Sequence, residues 1–312
     1  MPDIVISEFM DQEAVDRTAV DYDVYYDPEL VEKEAELKRL LSDARALVVR
    51  NRTQVDADLL DAAPRLCVVG RLGVGLDNID TAECEKRGIT VCPATGANDD
   101  SVAEWVITAV MTLLRGAFLS MGEILEGRWP RSRCIGRETA GKILGLIGYG
   151  AIARKTAVRA KALGMEVAAY DPFIPADDAA WEQVTRMAGF GELLAVADAV
   201  SLHVPLTRET RHLMDGRAMA QMKKGAVLVN ASRGGVVDEE ALAKALSSGR
   251  LAGAALDVYE TEPLTKAAGE IFVGVNNLLL TPHIAGVTVE SNIRVSNVTM
   301  ENVRRVLEAS QP

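Results

Sequence analysis

Three polar residues that lie far apart in the chain each follow a short apolar run: Arg233 in ASRGG, Glu262 in YETEP and His283 in TPHIAG. Such runs predict β-strands, and in an open α/β sheet ligands bind beyond the carboxyl ends of the strands. An arginine can grip a carboxylate through its planar fork, and a histidine paired with an acid can accept and return a proton near neutral pH. Together the three residue types indicate acid–base chemistry on a small anionic substrate.

A glycine-rich turn lies upstream of all three residues and reads Gly148-Tyr149-Gly150-Ala151-Ile152-Ala153. It follows the predicted strand KILGLIG and opens a predicted helix, which is the context of a dinucleotide-binding loop. Gly148 allows the tight turn, Gly150 lets the backbone approach a pyrophosphate, and Ala153 packs helix on strand. The helix N-terminus then offers N–H groups to phosphate. With a dinucleotide beside the three polar residues, the predicted chemistry is hydride transfer.

Asp171 in AAYDP follows the glycines by about 20 residues, the spacing expected for a ligand of the ribose 2′-hydroxyl. No arginine follows it closely, so a 2′-phosphate would meet a carboxylate without a counter-charge. The sequence therefore predicts NAD rather than NADP as the cofactor. The alternative is that Asp171 only caps a helix or turn.

The composition narrows the classes of protein to which the chain can belong. Its 312 residues suffice for two domains, and its net charge of −11 disfavours general binding to nucleic acid or anionic membrane. Cys67, Cys84, Cys92 and Cys134 form no C-x-x-C pair, so we expect buried, reduced thiols in a cytoplasmic protein, and no metal site. The N-terminus MPDIVISEF lacks the basic region of a signal peptide, and no apolar run approaches a membrane span.

Short apolar runs alternate with helical patterns through the chain. Strands are predicted at 3–7, 23–27, 46–50, 66–70 and 89–93, and a long helix from about Asp100 to Arg115. Six more strands are predicted in KILGLIG, MEVAAYD, DAVSLHVP, GAVLVNAS, GAALDVY and NLLLTPH, the strand count of a full dinucleotide-binding sheet. Apolar strands alternating with helices predict parallel sheets covered on both faces. The last helix, from about Val289 to Leu307, is expected to pack on the first domain.

The chain has three histidines, His203, His212 and His283. His203 in SLHVPL is predicted to shape the cofactor pocket, and His212 in the charged, helix-like RETRHLMD to lie at the surface. His283 taken alone would be an ordinary histidine at a strand end. Glu262 and Arg233 at equivalent strand ends favour a catalytic role for it.

These residues belong to longer motifs: VGRLGVGLDNID at 69–80, LGLIGYGAIA at 144–153, YDP at 170–172, HVPLT at 203–207, MKKGAVLVNASRGGVVDEEAL at 222–242, GAALDVYETEP at 253–263 and TPHIAG at 281–286. With them, nearly the whole chain resembles the D-isomer-specific 2-hydroxyacid dehydrogenases, and within them the catalytic core of D-3-phosphoglycerate dehydrogenase. The resemblance implies two doubly wound parallel-sheet α/β domains, Rossmann-like and flavodoxin-like, with the active site in a cleft between them. An NAD-binding domain at 97–286 would be inserted into a substrate-binding domain formed by 1–96 and 287–312. Because the sequence ends at Pro312, feedback through the C-terminal regulatory domain of many phosphoglycerate enzymes is not expected.

The resemblance also implies roles for single residues. Arg233 would bind the substrate carboxylate and polarise the C2 oxygen. His283 would be the general base for alcohol oxidation and the acid for ketone reduction, while Glu262 would hydrogen-bond His283 and favour its charged form. The residues that would contact NAD are Gly148, Gly150, Ala151, Ile152, Asp171, Pro172, His203, Pro205, Thr210, Ala231, Asp257 and Gly286.

The sequence limits the choice of substrate but does not identify a single 2-hydroxy acid. By resemblance, the backbone of Gly73, Val74 and Gly75 would bind the carboxylate, and Arg50 and Arg71 match positions that contact the substrate phosphate in the phosphoglycerate enzymes. A sulfonate is a comparable tetrahedral oxyanion, so 3-phosphoglycerate and 3-sulfolactate are both candidates. The alternatives are a glyoxylate or hydroxypyruvate reductase and, from another class, a non-catalytic NADH-sensing corepressor.

Residues 115–137 hold five arginines and no lysine: Arg115, Arg128, Arg131, Arg133 and Arg137. Arginine suits contact with an anionic substrate, but salt bridges across a dimer would use the same residues. By resemblance, the helix after Asp100 and the loop around Trp129 form a dimerisation arm. A symmetric homodimer is therefore expected.

Overall fold

The computed structural model describes residues 2–310. Its contacts divide the chain into two compact units: residues up to Asn98 and from Val287 onward form unit 1, and Asp99–Gly286 form unit 2. The chain thus passes between the units at 98/99 and 286/287. The boundaries predicted from the sequence were 96/97 and 286/287. The assignment of substrate binding to unit 1 remains a prediction.

The chain forms twelve strands and twelve α-helices over the described residues. The strands are β1 Ile4–Ile6, β2 Val24–Tyr26, β3 Ala46–Val49, β4 Val68–Arg71, β5 Thr90–Pro93, β6 Ile143–Ile147, β7 Glu166–Tyr170, β8 Thr185–Arg186, β9 Ala199–Leu202, β10 Ala226–Asn230, β11 Leu251–Leu256 and β12 Leu278–Leu280. The helices are α1 Gln12–Thr18, α2 Glu34–Leu41, α3 Ala57–Asp61, α4 Thr81–Lys86, α5 Asp99–Arg115, α6 Met121–Leu125, α7 Ala151–Ala162, α8 Phe190–Val196, α9 Gly216–Gln221, α10 Glu239–Ser247, α11 Lys266–Gly269 and α12 Val289–Ala309.

Unit 1 is a five-stranded parallel sheet in the order β2-β1-β3-β4-β5. This is the flavodoxin-like order, and the five predicted strands are all present. The inner strands β1, β3 and β4 are apolar because helices cover both of their faces.

The last helix, α12, packs on the sheet of unit 1. Val295, Met300, Val303 and Leu307 of α12 are buried in one cluster with the apolar side chains of β1, β3 and β4. Gly70 on β4 permits the contact, because a Cβ there would lie 2.6 Å from the Val303 side chain. The predicted return of the C-terminal helix to the first sheet is confirmed.

Unit 2 is a seven-stranded parallel sheet in the order β12-β11-β10-β9-β6-β7-β8. Six of its strands are those predicted, but the prediction of six in total was wrong. The seventh strand, β8, has two residues, too few to leave a pattern in the sequence. The strand order reverses between β6 and β9, which is where a doubly wound sheet opens its ligand crevice at the carboxyl ends.

Two buried clusters cover the faces of the second sheet. One contains the apolar faces of α5 and α7, and the other those of α8, α9 and α10. In residues 2–310 no single helix is long and apolar enough to span a membrane, although α5 passes that test jointly with Ala117–Leu125, from which it is bent by 67°. Cys84 and Cys92 are buried as expected, whereas Cys67 and Cys134 are partly exposed.

Candidate active site

The glycine-rich loop turns tightly between β6 and α7. Gly148 has φ +83°, in the left-handed region that favours glycine, and a Cβ there would lie 2.4 Å from the carbonyl oxygen of His203. The loop is therefore pressed against the end of β9, at the point where the strand order of the sheet reverses.

The start of α7 offers a cradle for an anion. Gly150 caps the helix without a side-chain hydrogen bond, and a Cβ built on it would meet nothing within 4 Å, so the approach is open. Within residues 2–310, the N–H groups of Ala151, Ile152 and Ala153 have no hydrogen-bond acceptor. Open space in front of unpaired N–H groups at a helix N-terminus suits the pyrophosphate of a dinucleotide.

Asp171 follows the last residue of β7. One carboxylate oxygen accepts from the N–H of Tyr149 at 2.9 Å and the other from the N–H of Phe173 at 2.9 Å. The side chain thus caps its own turn and also fixes the glycine-rich loop. Each oxygen keeps a second lone pair, so these bonds leave Asp171 able to accept from ribose hydroxyls.

His203 follows β9, and its imidazole Nε2 lies 3.0 Å from the buried Ser201 hydroxyl. Burial lowers its pKa to about 4, so the ring is neutral at physiological pH. Beyond it, the Thr210 hydroxyl donates to the Pro205 carbonyl at 2.6 Å and accepts from the Thr207 N–H at 2.7 Å. This loop is therefore held in one conformation at the carboxyl end of β9.

The Arg233 loop follows β10 and is organised by Asn230, which sequence reasoning missed. The Asn230 side chain is buried, accepts from the N–H of Ser232 at 3.0 Å and donates to the carbonyl of Arg233 at 3.0 Å. A Cβ on Gly234 would lie 1.7 Å from the carbonyl of Tyr259, so this loop lies against the backbone beyond β11. Ala231, at its start, is partly exposed.

His283 and Glu262 form a hydrogen-bonded pair, with His283 Nδ1 2.7 Å from Glu262 Oε2. The other oxygen of Glu262 accepts from the N–H of Tyr259 at 2.9 Å. The bond to Glu262 raises the pKa of His283 above its ordinary value, against partial desolvation. Burial would raise the pKa of Glu262, but the bonds from His283 and Tyr259 hold it below its ordinary value. Arg233 lies close enough to act on the charges of both.

Asp257 fixes the loop that carries His283. Its buried carboxylate accepts from the Thr281 hydroxyl at 2.5 Å and from the N–H groups of Ile284 and Ala285, each at 2.8 Å. Within the loop His283 has φ +52°, an uncommon conformation for a residue other than glycine. A role of Asp257 in cofactor binding remains a prediction, and Gly286 ends the same loop.

Sequence reasoning also missed a second layer of hydrogen bonds next to the His283–Glu262 pair, formed by Glu239, Glu260 and His212. Glu239 Oε1 accepts from the N–H of Glu260 at 2.7 Å, and Glu260 Oε1 accepts from the N–H of Glu239 at 3.3 Å. Glu260 Oε1 lies 3.1 Å from Nε2 of His212. His212 has φ +50° and lies in a turn, so its expected helical setting was wrong. These bonds join the loop of Arg233 to that of Glu262.

Arg50 follows β3 in unit 1 and is half-buried. Its guanidinium donates to Asn292 Oδ1 at 2.8 Å and to the Phe9 carbonyl at 3.4 Å, both neutral acceptors. No carboxylate of residues 2–310 lies within ion-pair distance of it. The buried Glu8 carboxylate accepts from the N–H groups of residues 50–53, which fixes the backbone of this loop.

Arg71, Gly73, Val74 and Gly75 lie at the end of β4. The guanidinium of Arg71 folds back on its own loop and donates to the carbonyls of Leu72 at 2.5 Å and Gly75 at 2.8 Å. Gly73 has φ +146°, and a Cβ on it would lie 2.1 Å from Arg71 Nη1. The N–H groups of Val74 and Gly75 have no acceptor within the described residues, which suits a carboxylate ligand.

Known proteins share this architecture and sequence. Residues 107–285 match the family model of the D-isomer specific 2-hydroxyacid dehydrogenase NAD-binding domain. The chain belongs to the D-isomer specific 2-hydroxyacid dehydrogenases. It is therefore an NAD-dependent dehydrogenase, and the identification made from the motifs is confirmed.

Several members of this family are similar over the whole chain or most of it. The chain is 55% identical to (S)-sulfolactate dehydrogenase of Chromohalobacter salexigens, covering 98% of this chain and 99% of that protein. Hydroxypyruvate reductase of Thermotoga maritima is 37% identical, with 97% of each covered. D-3-phosphoglycerate dehydrogenase of Archaeoglobus fulgidus is 41% identical, covering 86% of this chain and 50% of that protein. The solved structure of the TT0316 protein from Thermus thermophilus has a TM-score of 0.88 at 32% identity, covering 99% of this chain and 98% of that one.

The pKa of His283 should depend on Glu262. Glu262→Gln removes the negative charge that favours the imidazolium, so we expect the pKa of His283 to fall, as measured by NMR titration of the imidazole protons. With three histidines in the chain and His203 titrating near 4, assignment is tractable. Glu260→Gln, which removes the partner of His212, is the control and should leave the His283 titration in place. An unchanged His283 titration in Glu262→Gln would contradict the pairing.

Proposed function

We propose that the enzyme interconverts a D-2-hydroxy acid carrying an anionic group on C3 and the matching 2-oxo acid, with 3-sulfolactate and 3-phosphoglycerate as the candidate substrates. The observation that carries the reaction is the His283–Glu262 pair beside Arg233, at the carboxyl ends of β12, β11 and β10. The observation that carries the anionic group is Arg50, half-buried with only neutral acceptors.

In the direction of oxidation, neutral His283 accepts the proton of the 2-hydroxyl through Nε2, since Nδ1 is bonded to Glu262. The charged imidazolium that results is stabilised by the Glu262 carboxylate. Arg233 binds the substrate carboxylate and polarises the C2 oxygen. In the direction of reduction, the imidazolium returns the same proton to that oxygen. NAD, when bound, supplies the nicotinamide that takes up or returns the hydride.

The cofactor contacts follow from the cradle at the start of α7. The N–H groups of Ala151 and Ile152 would hold the pyrophosphate, and Asp171 would accept from the ribose hydroxyls. A 2′-phosphate would meet the charge of Asp171, which favours NAD over NADP. Cytoplasmic location belongs to the same proposal, because free cysteines suit a reducing compartment.

The identity to (S)-sulfolactate dehydrogenase supports a sulfonated substrate. Its stereochemical label agrees with a D-specific family, because sulfur on C3 outranks the carboxylate when substituents are ordered. The S form of sulfolactate therefore has the spatial arrangement of D-lactate. Hydroxypyruvate or glyoxylate, which lack a charged C3 group, are the alternative substrates.

We also propose a symmetric homodimer formed through the segment that follows α5. Phe118, Met121, Leu125 and Trp129 there have exposures of 72–80%, a run of apolar surface unusual for a monomer. Two of the arginines in this segment already form ion pairs within the chain, because Arg128 and Arg133 both pair with Glu123. Apolar contact, more than salt bridges, would then hold the two chains together.

Removing the proposed base should stop chemistry but not cofactor binding. General acid–base help is worth ~10²–10⁴ in rate, so His283→Ala should lower kcat by that order. NADH binding, measured by fluorescence titration, should stay near that of the wild type, which also shows that the variant is folded. Turnover at the wild-type rate would remove His283 from the mechanism.

Removal of Arg50, the residue proposed to bind the anionic group on C3 (the tail), should slow only the reactions of substrates that carry such a tail. Arg50→Met should lower kcat/KM for 3-sulfolactate or 3-phosphoglycerate roughly tenfold to hundredfold, since a hydrogen bond to a charged group is worth about 1.5–3 kcal/mol. Glycerate and D-lactate should change little. Arg17→Met is the matched control, because Arg17 also donates to an asparagine of α12, Asn297, at an exposed site. A wild type that prefers lactate, glycerate or glyoxylate to every tailed acid would refute the proposed substrate class.

The dimer should depend on the apolar side chains. Light scattering at micromolar concentration should give twice the chain mass of 33.5 kDa. Leu125→Lys with Phe118→Lys should shift the mass toward the monomer, because charges would be buried at the interface. Gln12→Lys with Gln54→Lys, which adds the same two charges at exposed positions far along the chain, should not. A wild-type monomer at this concentration would rule out the proposal.

A further inference from the structure

The charges around Arg50 affect which anionic group on C3 the enzyme accepts. This inference rests on the proposed function. Of the arginines near the strand ends of unit 1, Arg52 pairs with Glu32 at 2.7 Å. Arg71 donates to carbonyls of its own loop, and Arg294 of α12 donates to the carbonyl of Ala97 at 2.9 Å. Arg50, like Arg71 and Arg294, donates to neutral acceptors, but among these arginines it bonds a side-chain amide, that of Asn292.

Asn292 lies in the first turns of α12 and positions Arg50. Its Oδ1 accepts from Arg50 Nη2 at 2.8 Å, and this bond fixes which end of the side-chain amide faces the arginine. Nδ2 is therefore turned away from the guanidinium, and its two hydrogens have no acceptor within residues 2–310. A charged donor and a neutral donor are adjacent, with no carboxylate between them.

We propose that Arg50 and the side-chain amide of Asn292 form an oxyanion subsite matched to a single negative charge, which selects a C3 sulfonate over a C3 phosphate ester at neutral pH. A sulfonate carries one negative charge at all relevant pH values. A phosphate monoester carries about −1.5 to −2 at pH 7, since its second pKa is about 6. Arg50 is the one cation of the proposed subsite, so the second charge of a phosphate would be partly desolvated without a matching cation in that subsite.

Other charges at the site add to this preference. The carboxylate of Glu8 acts on the charge of Arg50 and lies beneath the 50–53 loop, so it opposes any additional negative charge. Glu32 already neutralises Arg52. Under this arrangement a doubly charged tail is penalised and a singly charged tail is not.

The first test compares two substrates of the wild-type enzyme over a range of pH. The ratio of kcat/KM for 3-sulfolactate to that for 3-phosphoglycerate cancels the ionisation of His283, which both reactions require. The ratio should favour sulfolactate at pH 7.5 and fall about tenfold or more toward pH 5.5, where the phosphate becomes singly charged. A ratio that favours phosphoglycerate at pH 7.5, or that stays constant with pH, would overturn selection by charge.

The second test changes the charge of the subsite at constant shape. Asn292→Asp places a carboxylate on Arg50 and removes the neutral donor. We expect kcat/KM for 3-sulfolactate to fall roughly tenfold to hundredfold, with glycerate changed by less than about threefold. Asn297→Asp on the same helix, beside Arg17, adds the same charge and should leave both substrates near the wild-type values.

The two proposals fail in distinguishable ways. If Arg50→Met destroys the preference for tailed acids but Asn292→Asp does not, the substrate class stands and the role of Asn292 is wrong. If Asn292→Asp slows glycerate as much as sulfolactate, the residue is structural and the inference fails. Thermal melting of each variant, together with NADH binding, separates either result from loss of folding.

Discussion

The buried carboxylate of Asp257 is the constraint on which the geometry of the proposed catalytic residues depends. A buried charge is costly unless hydrogen bonds satisfy it, and here one hydroxyl and two backbone N–H groups do so. All three donors lie in the segment from Thr281 to Ala285. The bonds to Asp257 therefore hold this segment against the end of β11. His283 is held there at φ +52°, a conformation that the surrounding bonds must stabilise.

The partner of His283 is fixed by an equivalent set of bonds from the next loop. The Glu262 carboxylate accepts from the N–H of Tyr259, and the Tyr259 hydroxyl donates to the Thr281 carbonyl at 2.8 Å. The carboxylates of Glu239 and Glu260 each accept from the backbone N–H of the other. Burial and the nearby Glu260 and Glu262 raise the pKa of Glu239 above its ordinary value. Three loops from neighbouring strand ends are thereby interlocked, which lets a half-exposed imidazole keep one orientation.

The sequence predicted those parts of the molecule that leave a local pattern. Apolar runs located eleven of the twelve strands, and strand ends pointed to Arg233, Glu262 and His283. The bonds that position these residues were not predictable, because Asp257 and Glu239 find their partners only when separate strand ends meet, and the bonds of Asn230 to Ser232 and Arg233 leave no periodic pattern in the sequence. The same limit applies to Arg71, whose turn back onto its own loop depends on the φ of Gly73. Periodicity reports which face of an element is buried, not what a polar side chain at its end will contact.

The proposed anion sites of so acidic a chain depend on how locally its charges are arranged. Around Arg50, Glu32 pairs with Arg52, and Glu8 acts on the guanidinium of Arg50 without an ion pair, because its carboxylate accepts from backbone N–H groups. At α7 the donors are backbone N–H groups, whose contribution is independent of net charge. The contacts that fix Arg50 all lie in unit 1 and those that fix His283 all lie in unit 2. The proposed substrate choice and the proposed acid–base chemistry thus depend on separate sets of bonds, so a substitution in one set need not disturb the other.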